Sequence, residues 1–371
     1  MAEMHQTASP AWYAWSELST RLPSDLDDLA LATKAITRRR EDGVSDGEAL
    51  LRLCLARGPG GKSLSETSAW AMLNGVADLA GQSINERLHR SVAFLSALVH
   101  RLLTDRATGK PSIWTGRCLR IADGSSLSQR GSKGTDWRVH GVYNLDGGGF
   151  SHLEVTDTGG AESLLRCAPV TNEVLIADRG YARAKELRAC ADPDNPGRRD
   201  FIVRAGWKSL ALRDPAGDPF DVIAHLETLC AGSGPTEWPV QAVVDARKPA
   251  DLLPLRLVVV PLPPDKAEIA REKRRRYARK HGEAVDPRSI VAAGFMILTT
   301  SLPTDIPAPE IYAAYRLRWQ IELAFKRMKS LIHIDRLPTR TTAGSLCWLY
   351  AHLILTLLTE DICQDFLESS P

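Results

Sequence analysis

Apolar residues recur at spacings of three and four along the first third of the chain, from about residue 12 to residue 106. That period places them on one face of an α-helix, and no alternating apolar and polar run interrupts it. The segment 45–56 (SDGEALLRLCLA) carries Ser45 or Asp46 where a helix N-cap is expected. The pattern therefore predicts an all-helical N-terminal domain.

Two of the predicted helices, at 63–73 and 82–103, are separated by a turn that contains glycine. This arrangement is typical of a helix-turn-helix, whose second helix enters the major groove of DNA. The side chains that would then face DNA are Asn85, Arg87, His89 and Arg90. A helical bundle that only packs on the rest of the chain predicts the same pattern, so both interpretations stay open.

Beyond about residue 115 the pattern changes to short apolar or alternating runs bounded by Gly, Asn and Asp, which predict strands. These runs lie at 118–123, 137–144, 150–157, 173–178 and 200–205. Helices are expected at 162–169 and 182–191, around the fourth run. An α/β sheet that begins with antiparallel hairpins and continues with crossover helices follows from this order.

The segment 206–294 is rich in proline and has weaker periodicity, so it looks inserted. Its strand candidates lie at 240–246 and 255–262. The chain then returns to a strand at 295–302 and ends in an apolar helix at about 343–365.

Composition agrees with a soluble globular protein, with 44% hydrophobic and 25% charged residues and a net charge of +2. The cations are clustered, however, at 271–280 (REKRRRYARK) and at 315–340. The seven cysteines lack CxxC spacing, which favours a reducing, cytoplasmic setting over disulfides or structural zinc. The most apolar segment, at 346–358, is too short to span a bilayer and is expected to be a buried core helix, so no membrane partner is expected.

One later helix, predicted at 315–329 (YRLRWQIELAFKRMK), has a single carboxylate among its cations. At 100° per residue, one face holds Tyr315, Arg318, Trp319, Glu322, Lys326 and Lys329. The opposite face is an apolar stripe of Leu317, Ile321, Ala324, Phe325, Met328 and Leu331. A solvated polar surface is one interpretation of the first face. A carboxylate surrounded by cations also suits a site that holds a metal ion beside a polyanion.

Two predicted strands end in the same tripeptide, Ile-Ala-Asp, followed at once by turn residues. Their aspartates are Asp123 and Asp178. A carboxylate at the end of a buried strand lies in the crevice that α/β sheets use for ligands, although Asp is also a common turn residue. Together with Glu322, these aspartates would supply three oxygen ligands, the chemistry that Mg²⁺ or Mn²⁺ takes.

Four residues of the helix resemble, in identity and spacing, the Y-R-E-K signature of bacterial insertion-sequence transposases of the DDE superfamily, the cut-and-paste type. They are Tyr315, Arg318, Glu322 and Lys329. The resemblance extends from about 115 to 340, because IADGSSL around Asp123 and LIADRGYA around Asp178 are similar to that group's first and second catalytic motifs.

The resemblance implies an α/β protein with an RNase H-like (retroviral-integrase-like) catalytic core, a β-rich insertion and an all-helical N-terminal domain. The expected domains are 1–114 for DNA binding, 115–205 for the first part of the core, 206–294 for the insertion, and 295–371 for the end of the core with the glutamate helix and a C-terminal helix.

The resemblance further implies that Asp123, Asp178 and Glu322 are catalytic and bind two Mg²⁺ or Mn²⁺ ions. The residues expected to hold the DNA end are Tyr315, Arg318, Lys326 and Lys329. An aromatic residue of the insertion stacks on a displaced base in some relatives, and Trp207 and Trp238 are the candidates here. In the N-terminal domain, Arg87 and Arg90 are the expected DNA contacts.

The expected activity is cleavage of insertion-sequence ends followed by joining of the 3′-hydroxyl to target DNA. The expected partners are double-stranded transposon-end and target DNA and a second copy of the chain, because two ends must be held together, in the cytoplasm at the nucleoid. A metal-dependent nuclease of the same fold without strand transfer would keep all three carboxylates, whereas a non-catalytic regulator would lack an intact set. A serine or cysteine hydrolase is disfavoured because no GxSxG or paired Cys/His motif is present.

Overall fold

The structure, a computed structural model, describes residues 15–37, 43–104, 106, 114, 116–338 and 341–369. Its N-terminal part is helical, as predicted. The helices are α1 (Trp15–Ser19), α2 (Leu26–Ala32), α3 (Gly47–Arg57), α4 (Leu64–Leu73), α5 (Gly81–Arg90) and α6 (Val92–Thr104). Asp46 is the N-cap of α3 and accepts a hydrogen bond from the Ala49 amide at 2.7 Å, so the predicted start of this helix is confirmed.

The single helix predicted at 82–103 is wrong, because the chain forms two helices there. Ser91 separates α5 from α6. Its amide donates to the Arg87 carbonyl at 3.0 Å and its hydroxyl donates to the Leu88 carbonyl at 2.8 Å, and these bonds close the last turn of α5. Apolar periodicity continues through the break, so spacing alone could not reveal it.

The described strands form one mixed sheet, which confirms the mixed α/β character. They are β1 (Cys118–Leu127), β2 (Trp137–Asn144), β3 (Gly149–Asp157), β4 (Glu173–Ala177), β5 (Asp200–Arg204), β6 (Leu212–Arg213), β7 (Thr236–Asp245), β8 (Lys248–Pro261) and β9 (Phe295–Thr300). Their order across the sheet is β3-β2-β1-β4-β5-β9-β8-β7-β6. The β1–β4 and β4–β5 pairs are parallel, and every other pair is antiparallel.

Of the two helices predicted around β4, one is confirmed and one is wrong. The predicted helix at 182–191 is α7 (Ala184–Ala191). The segment predicted as a helix at 162–169 has only a short 3₁₀ turn, Leu164–Arg166. The connection 158–172 is mostly irregular, and its apolar residues Leu164 and Cys167 are buried in the core on one face of the sheet without forming an α-helix.

The segment 206–294 contributes β6, β7 and β8 together with three helices. These helices are α8 (Val222–Glu227), α9 (Pro264–His281) and α10 (Pro287–Ala292). Because the last residues of β8, 256–261, pair with β9, the strands of this segment extend the same sheet. Its treatment as a separate insertion stays a prediction.

The last three helices are α11 (Ala308–Arg316), α12 (Trp319–Ser330) and α13 (Thr342–Ser369). The N-terminal helices, α12, α13 and one face of the sheet share a single hydrophobic core. A second core fills the opposite face, where α7 and α8 cover the strands. The functional site described below lies where α11 and α12 approach β1 and β4.

Helix α13 runs through the first core, as the sequence pattern predicted for the apolar segment. By length and composition its part Thr342–Asp365 is long enough to cross a membrane. Most of it is buried inside the protein, however, and it contacts α3, α5, α6 and β3. Burial of this kind is typical of the core helix of a globular domain.

Candidate active site between strands 1 and 4 and helix 12

The register of two parallel strands brings the predicted aspartates to the same level. Ala122 of β1 and Ala177 of β4 are the last Cα partners of this pair. Asp123 and Asp178 follow them directly, so their backbones leave the shared ladder side by side. Asp178 lies directly after the end of β4, which agrees with its predicted place where the strand leaves the sheet. Asp123 does not, because β1 continues to Leu127 by pairing with β2, and that part of the prediction is wrong.

A single guanidinium links Asp123 to Glu322. The Nη1 atom of Arg318 lies 3.8 Å from Oδ2 of Asp123, and its Nη2 atom donates a hydrogen bond to Oε1 of Glu322. The Arg318 side chain is only 16% exposed, so this charge is held in place. Two predicted site residues that are far apart in sequence therefore meet around one cation.

The hydroxyl of Tyr315 reaches Asp178 from α11. It donates a hydrogen bond to Oδ1 of Asp178 at 3.4 Å, and the Nη1 atom of Arg204 lies 3.6 Å from the same oxygen. Burial and the charge of Asp178 raise the pKa of Tyr315 to about 12, which keeps this hydroxyl protonated as a donor. Asp178 is thus oriented by one neutral and one cationic group.

Burial also raises the pKa of Asp123, to about 6. The Gly124 amide, which donates to Oδ1 at 2.8 Å, and the Arg318 guanidinium oppose this rise. The negative charges of Glu162 and Glu322 add to it. Asp123 is therefore a carboxylate at neutral pH, but one whose charge is more costly than that of an exposed aspartate.

The helix predicted at 315–329 is broken, which changes how its residues are presented. Tyr315 lies in the last turn of α11 and is buried, whereas Arg318 is the N-cap of α12 and Glu322 lies in the first turn of α12. Tyr315 and Arg318 nevertheless lie on the same side, because the Arg318 guanidinium is 5.9 Å from the Tyr315 ring. The Tyr315 hydroxyl reaches Asp178 from the end of α11, and α12 contacts β1 and β2.

The apolar stripe of this segment is confirmed in its central part. Ile321, Ala324, Phe325 and Met328 are buried. Leu331 is 72% exposed and Leu317 only half-buried, because both lie at the ends of α12. On the other face Trp319, Glu322 and Lys326 are exposed, and Lys329 donates to the Ser126 carbonyl at 3.3 Å.

Gly141 allows α12 to lie directly on the sheet. It is the register partner of Asp123 on β2. A Cβ atom at this position would lie 2.8 Å from the ring of Phe150 and 3.0 Å from the ring of Phe325. Only glycine leaves room for Phe325 here, and the Phe325 ring packs against the Phe150 ring at 5.6 Å between centroids.

A cavity of about 690 Å³ opens next to Asp178. Its cationic lining consists of Arg179, Arg204, Lys208, Lys273 and Arg274. Trp207 and Tyr277 also line it. The indole N–H of Trp207 donates to Ser289 at 3.2 Å, and the guanidinium of Arg288 lies 4.7 Å from its ring.

The structure separates the two predicted base-stacking residues. Trp207 borders the Asp178 cavity. Trp238 lies on β7 and packs against the rings of His225 and Phe220, at 5.4 and 6.3 Å between centroids, outside that cavity. Of the two candidates, therefore, Trp207 is the one placed near a predicted catalytic carboxylate.

The predicted DNA contacts of the N-terminal region lie on α5, which packs against α4 and α13. Arg90 is exposed, whereas Arg87 is half-buried. Asn85 and His89 line a cavity of about 380 Å³ between the N-terminal helices and α13, so these two do not face outward together with Arg90.

Sequence reasoning missed Arg204, which the structure places against Asp178. It ends β5, the strand that pairs in parallel with β4. A parallel neighbour delivers its last residue to the same edge of the sheet, so the signal was the cation at the end of the DFIVRA run. Sequence reasoning also missed Arg179, which directly follows Asp178 and lines the cavity beside it.

The chain is similar to known proteins over nearly its whole length. Residues 114–358 match the family model described as a transposase DDE domain. The chain is 38% identical over 363 residues to the putative transposase InsL of insertion sequence element IS186A from Escherichia coli (strain K12), which covers 96% of both chains. It is 37% identical over 364 residues to the transposase of insertion sequence element IS421 from Escherichia coli, again with 96% of both chains covered.

Among solved structures, the piggyBac transposase synaptic complex with hairpin DNA aligns with a TM-score of 0.47 and 9% identity, over 95% of this chain and 75% of that chain. The family model and the relatives that match nearly end to end confirm the resemblance to insertion-sequence transposases. The chain belongs to the DDE transposases of insertion sequences, enzymes that catalyse DNA transposition.

Proposed function

We propose that this transposase cleaves the ends of its own insertion sequence and joins the resulting 3′-hydroxyl to target DNA, with Asp123, Asp178 and Glu322 as its catalytic carboxylates. The observation that carries the proposal is their convergence. Asp123 and Glu322 contact the same guanidinium, that of Arg318. Asp178 directly follows Ala177, and Ala177 is the register partner of Ala122, the residue before Asp123. Three distant segments thus bring carboxylates to one edge of the sheet.

Members of this family generally depend on a divalent metal. No three His, Cys, Asp or Glu side chains of the described ranges are arranged to hold a metal ion as they stand. The Arg318 guanidinium lies between Asp123 and Glu322, however, so these carboxylates already stabilise a cation. Hard oxygen donors of this kind fit Mg²⁺ or Mn²⁺.

Asp123, Asp178 and Glu322 would hold two such ions, which when bound would activate a water or 3′-hydroxyl and stabilise the leaving oxygen of a phosphodiester. Metal binding requires Arg318 to exchange its carboxylate partners for a DNA phosphate, the ligand that the signature resemblance implies for it. The guanidinium would then neutralise charge on the substrate within a few ångströms of where it now lies.

Other residues of the chain position the DNA end. Lys326 and Lys329 extend the cationic side of α12 beyond Arg318, toward the far end of β1. Tyr315 holds Asp178 through its hydroxyl and so fixes one catalytic carboxylate. Orientation of this kind lowers the barrier because the reacting groups need not be arranged during the reaction.

The cavity beside Asp178 is the proposed path of the DNA strand that leaves the site. Its cations suit phosphates, and Trp207 offers an aromatic surface on which a displaced base can stack. A second copy of the chain would hold the other transposon end, so the proposed active assembly is a homodimer on double-stranded DNA.

We further infer that the catalytic core is RNase H-like. The strands β3-β2-β1 are antiparallel neighbours, followed by the parallel β4 and β5, with the proposed carboxylates on β1, after β4 and on α12. In this interpretation 206–294 is inserted before the strand that leads to the glutamate helix, and 1–114 is the DNA-binding domain. Arg87 and Arg90 remain the proposed contacts there.

The proposed function is tested with the purified protein and the end DNA of its own element. Incubation with Mg²⁺ should produce nicked and joined strands on a denaturing gel, and incubation without Mg²⁺ should produce neither. Cleaved but never joined DNA would replace the proposal by a nuclease without strand transfer. Intact DNA under all metal conditions would overturn both.

Two cations of α9 should contribute more to DNA binding than their neighbours. Lys273 and Arg274 line the Asp178 cavity, whereas Arg276 and Arg279 contact Glu272 on the same helix, Arg279 at 2.7 Å. The double substitution Lys273→Gln with Arg274→Gln should reduce the slope of log K against log salt by about two, since each phosphate contact contributes about 0.9.

Fluorescence anisotropy of labelled end DNA between about 50 and 200 mM salt measures this slope. The matched control replaces Arg276 and Arg279 by Gln, with the same loss of charge. Equal slopes for the two double variants would exclude a specific path through the cavity.

A further inference from the structure

The hairpin of β1 and β2 projects beyond the edge of the sheet that carries the proposed catalytic aspartates. β1 pairs with β4 over 118–122, whereas it pairs with β2 over 120–127. The hairpin therefore continues past the end of β4 by about 16 Å, at a rise of about 3.3 Å per residue in a strand. Residues 123–141 form this hairpin arm, and the loop 128–136 (SQRGSKGTD) is its tip.

Helix α12 lies along the arm and contacts both of its strands. Arg318, at the start of α12, contacts Asp123, and Lys329, in its last turn, donates to the Ser126 carbonyl at 3.3 Å. The helix and β1 therefore run side by side in the same direction. The exposed Lys326 lies between the two contacts. The cations of α12 thus lead from the proposed catalytic carboxylates toward the loop 128–136.

The loop is held by its own polar groups and by α13. The Ser128 hydroxyl donates to the Gly134 carbonyl at 2.6 Å, and the Gln129 amide donates to Oδ2 of Asp136 at 2.8 Å. The side-chain amide of Gln129 donates to the hydroxyl of the buried Ser345 at 3.1 Å. These bonds engage the acidic side chain of the loop and fix its backbone, so little conformational entropy is lost when a ligand binds.

The two cations of the loop have no such partner. The side chains of Arg130 and Lys133 are exposed, and within the part of the chain that the structure describes neither makes a hydrogen bond or an ion pair. By contrast, Arg275 and Arg279 of the exposed helix α9 each contact a glutamate of the same helix, at 2.8 and 2.7 Å. Two unpaired positive charges on an ordered loop attract a polyanion without first releasing another partner.

Hairpins at the opposite edge of the sheet differ in charge or in position. The β2–β3 turn, 145–148 (LDGG), lies there and contains Asp146 and no cation. The β7–β8 turn lies there too, because β8 is antiparallel to β9 and β9 is antiparallel to β5. It carries the exposed Arg247, followed by the exposed Lys248 at the start of β8. The loop 128–136 therefore combines free cations with a place beside the proposed catalytic site.

We propose that the loop 128–136 binds the transposon end, with Arg130 and Lys133 on backbone phosphates inside the element. The loop lies about 20 Å from the proposed site of cleavage, which corresponds to about six base pairs at 3.4 Å per base pair. The inference rests on the proposed function, because it takes the DNA end to lie at the three carboxylates. DNA inside the element is the occupant, since it must be held from cleavage through joining, whereas the flanking DNA is released.

The test replaces two adjacent phosphates of the end duplex at a time by neutral methylphosphonates, at positions that move inward from the cleaved bond. Anisotropy without divalent metal measures the affinity for each duplex. Wild-type protein should lose affinity when the replaced phosphates lie about four to eight nucleotides from that bond. The double variant Arg130→Gln with Lys133→Gln should no longer respond at these positions, but it should keep its response next to the bond, where Arg318 acts.

On the unmodified end, the slope of log K against log salt should be smaller by about two in this double variant. The decrease should be the same when the internal sequence of the end is changed, because phosphate contacts carry no sequence information.

Two matched variants separate charge from position. Arg247→Gln with Lys248→Gln removes the same charge at the opposite edge, and Arg130→Lys with Lys133→Arg keeps both charges in the loop. Both should show the wild-type methylphosphonate profile and salt slope.

A wild-type profile in the folded Arg130→Gln, Lys133→Gln variant would overturn the inference, as would a change confined to phosphates of the flanking DNA. If the double variant does not fold, the single variants Arg130→Gln and Lys133→Gln take its place, and a wild-type profile in both would overturn the inference as well.

Failure of the proposed function would look different. It would appear as wild-type cleavage by Glu322→Gln, whatever the binding profiles measured without metal. Failure of the loop inference alone would leave Glu322→Gln inactive and give the loop variant the wild-type profile.

Discussion

Replacement of Glu322 by Gln should abolish Mg²⁺-dependent cleavage of a cognate transposon end, with a loss of about a thousandfold or more in the single-turnover rate. Gln has nearly the same shape and can still accept the hydrogen bond from Arg318, so α12 should remain in place. What is lost is the negative charge of one of the three proposed carboxylate ligands for the metal ions.

Binding of end DNA should remain measurable in this variant, because the cations of α12 are unchanged. Single-turnover cleavage of labelled end DNA and anisotropy on the same DNA separate the two effects. The control is Glu310→Gln, the same chemical change at an exposed position in the first turn of α11. Wild-type cleavage by Glu322→Gln would remove the catalytic assignment.

Replacement of Glu173 by Gln should lower the free energy of unfolding by about 3–5 kcal/mol, the usual cost of removing one partner of a buried ion pair. Glu173 is 1% exposed and lies between Arg120, at 2.6 Å, and Arg199, at 3.4 Å, both of which are buried as well. In Glu173→Gln these two guanidiniums would remain in the interior without a counter-charge. Arg120 lies on β1 and Glu173 on β4, so this cluster also stabilises the strand register that brings Asp123 and Asp178 together.

Urea denaturation followed by circular dichroism measures the free energy of unfolding. The control is Glu154→Gln, which breaks the partly exposed pair with Arg166 at 2.9 Å and should cost less than about 1 kcal/mol. A similar loss of unfolding free energy in the two variants would contradict this prediction, because the buried Arg120–Glu173–Arg199 cluster would then be no more sensitive to loss of a charge than the partly exposed pair.

Many elements of this protein could be predicted from local pattern. The run 137–144 is β2 residue for residue, and Asp46 caps α3 as its side-chain chemistry predicts. Alternation and capping depend on residues a few positions apart, so the chain itself contains the information. The breaks at Ser91 and at 317–318 were missed because apolar periodicity continues across them.

The candidate site was predicted only in part. Motif chemistry selected Asp123, Asp178 and Glu322, but it gave no indication that Arg204 lies beside Asp178. Arg204 belongs to no motif. It reaches Asp178 because it ends a strand that pairs in parallel with β4.

Local sequence was sufficient for the helical N-terminal region and the strand-rich middle, and it singled out three candidate carboxylates on separate segments. Tertiary structure alone decided that those segments meet. The register of β1 with β4 and the packing of Phe325 over Gly141 both depend on residues that are far apart in the chain. The physical reason is that hydrophobic periodicity and capping act over one or two turns. Strand register, close packing and ion pairing depend on which distant segments of the chain bury their surfaces against each other.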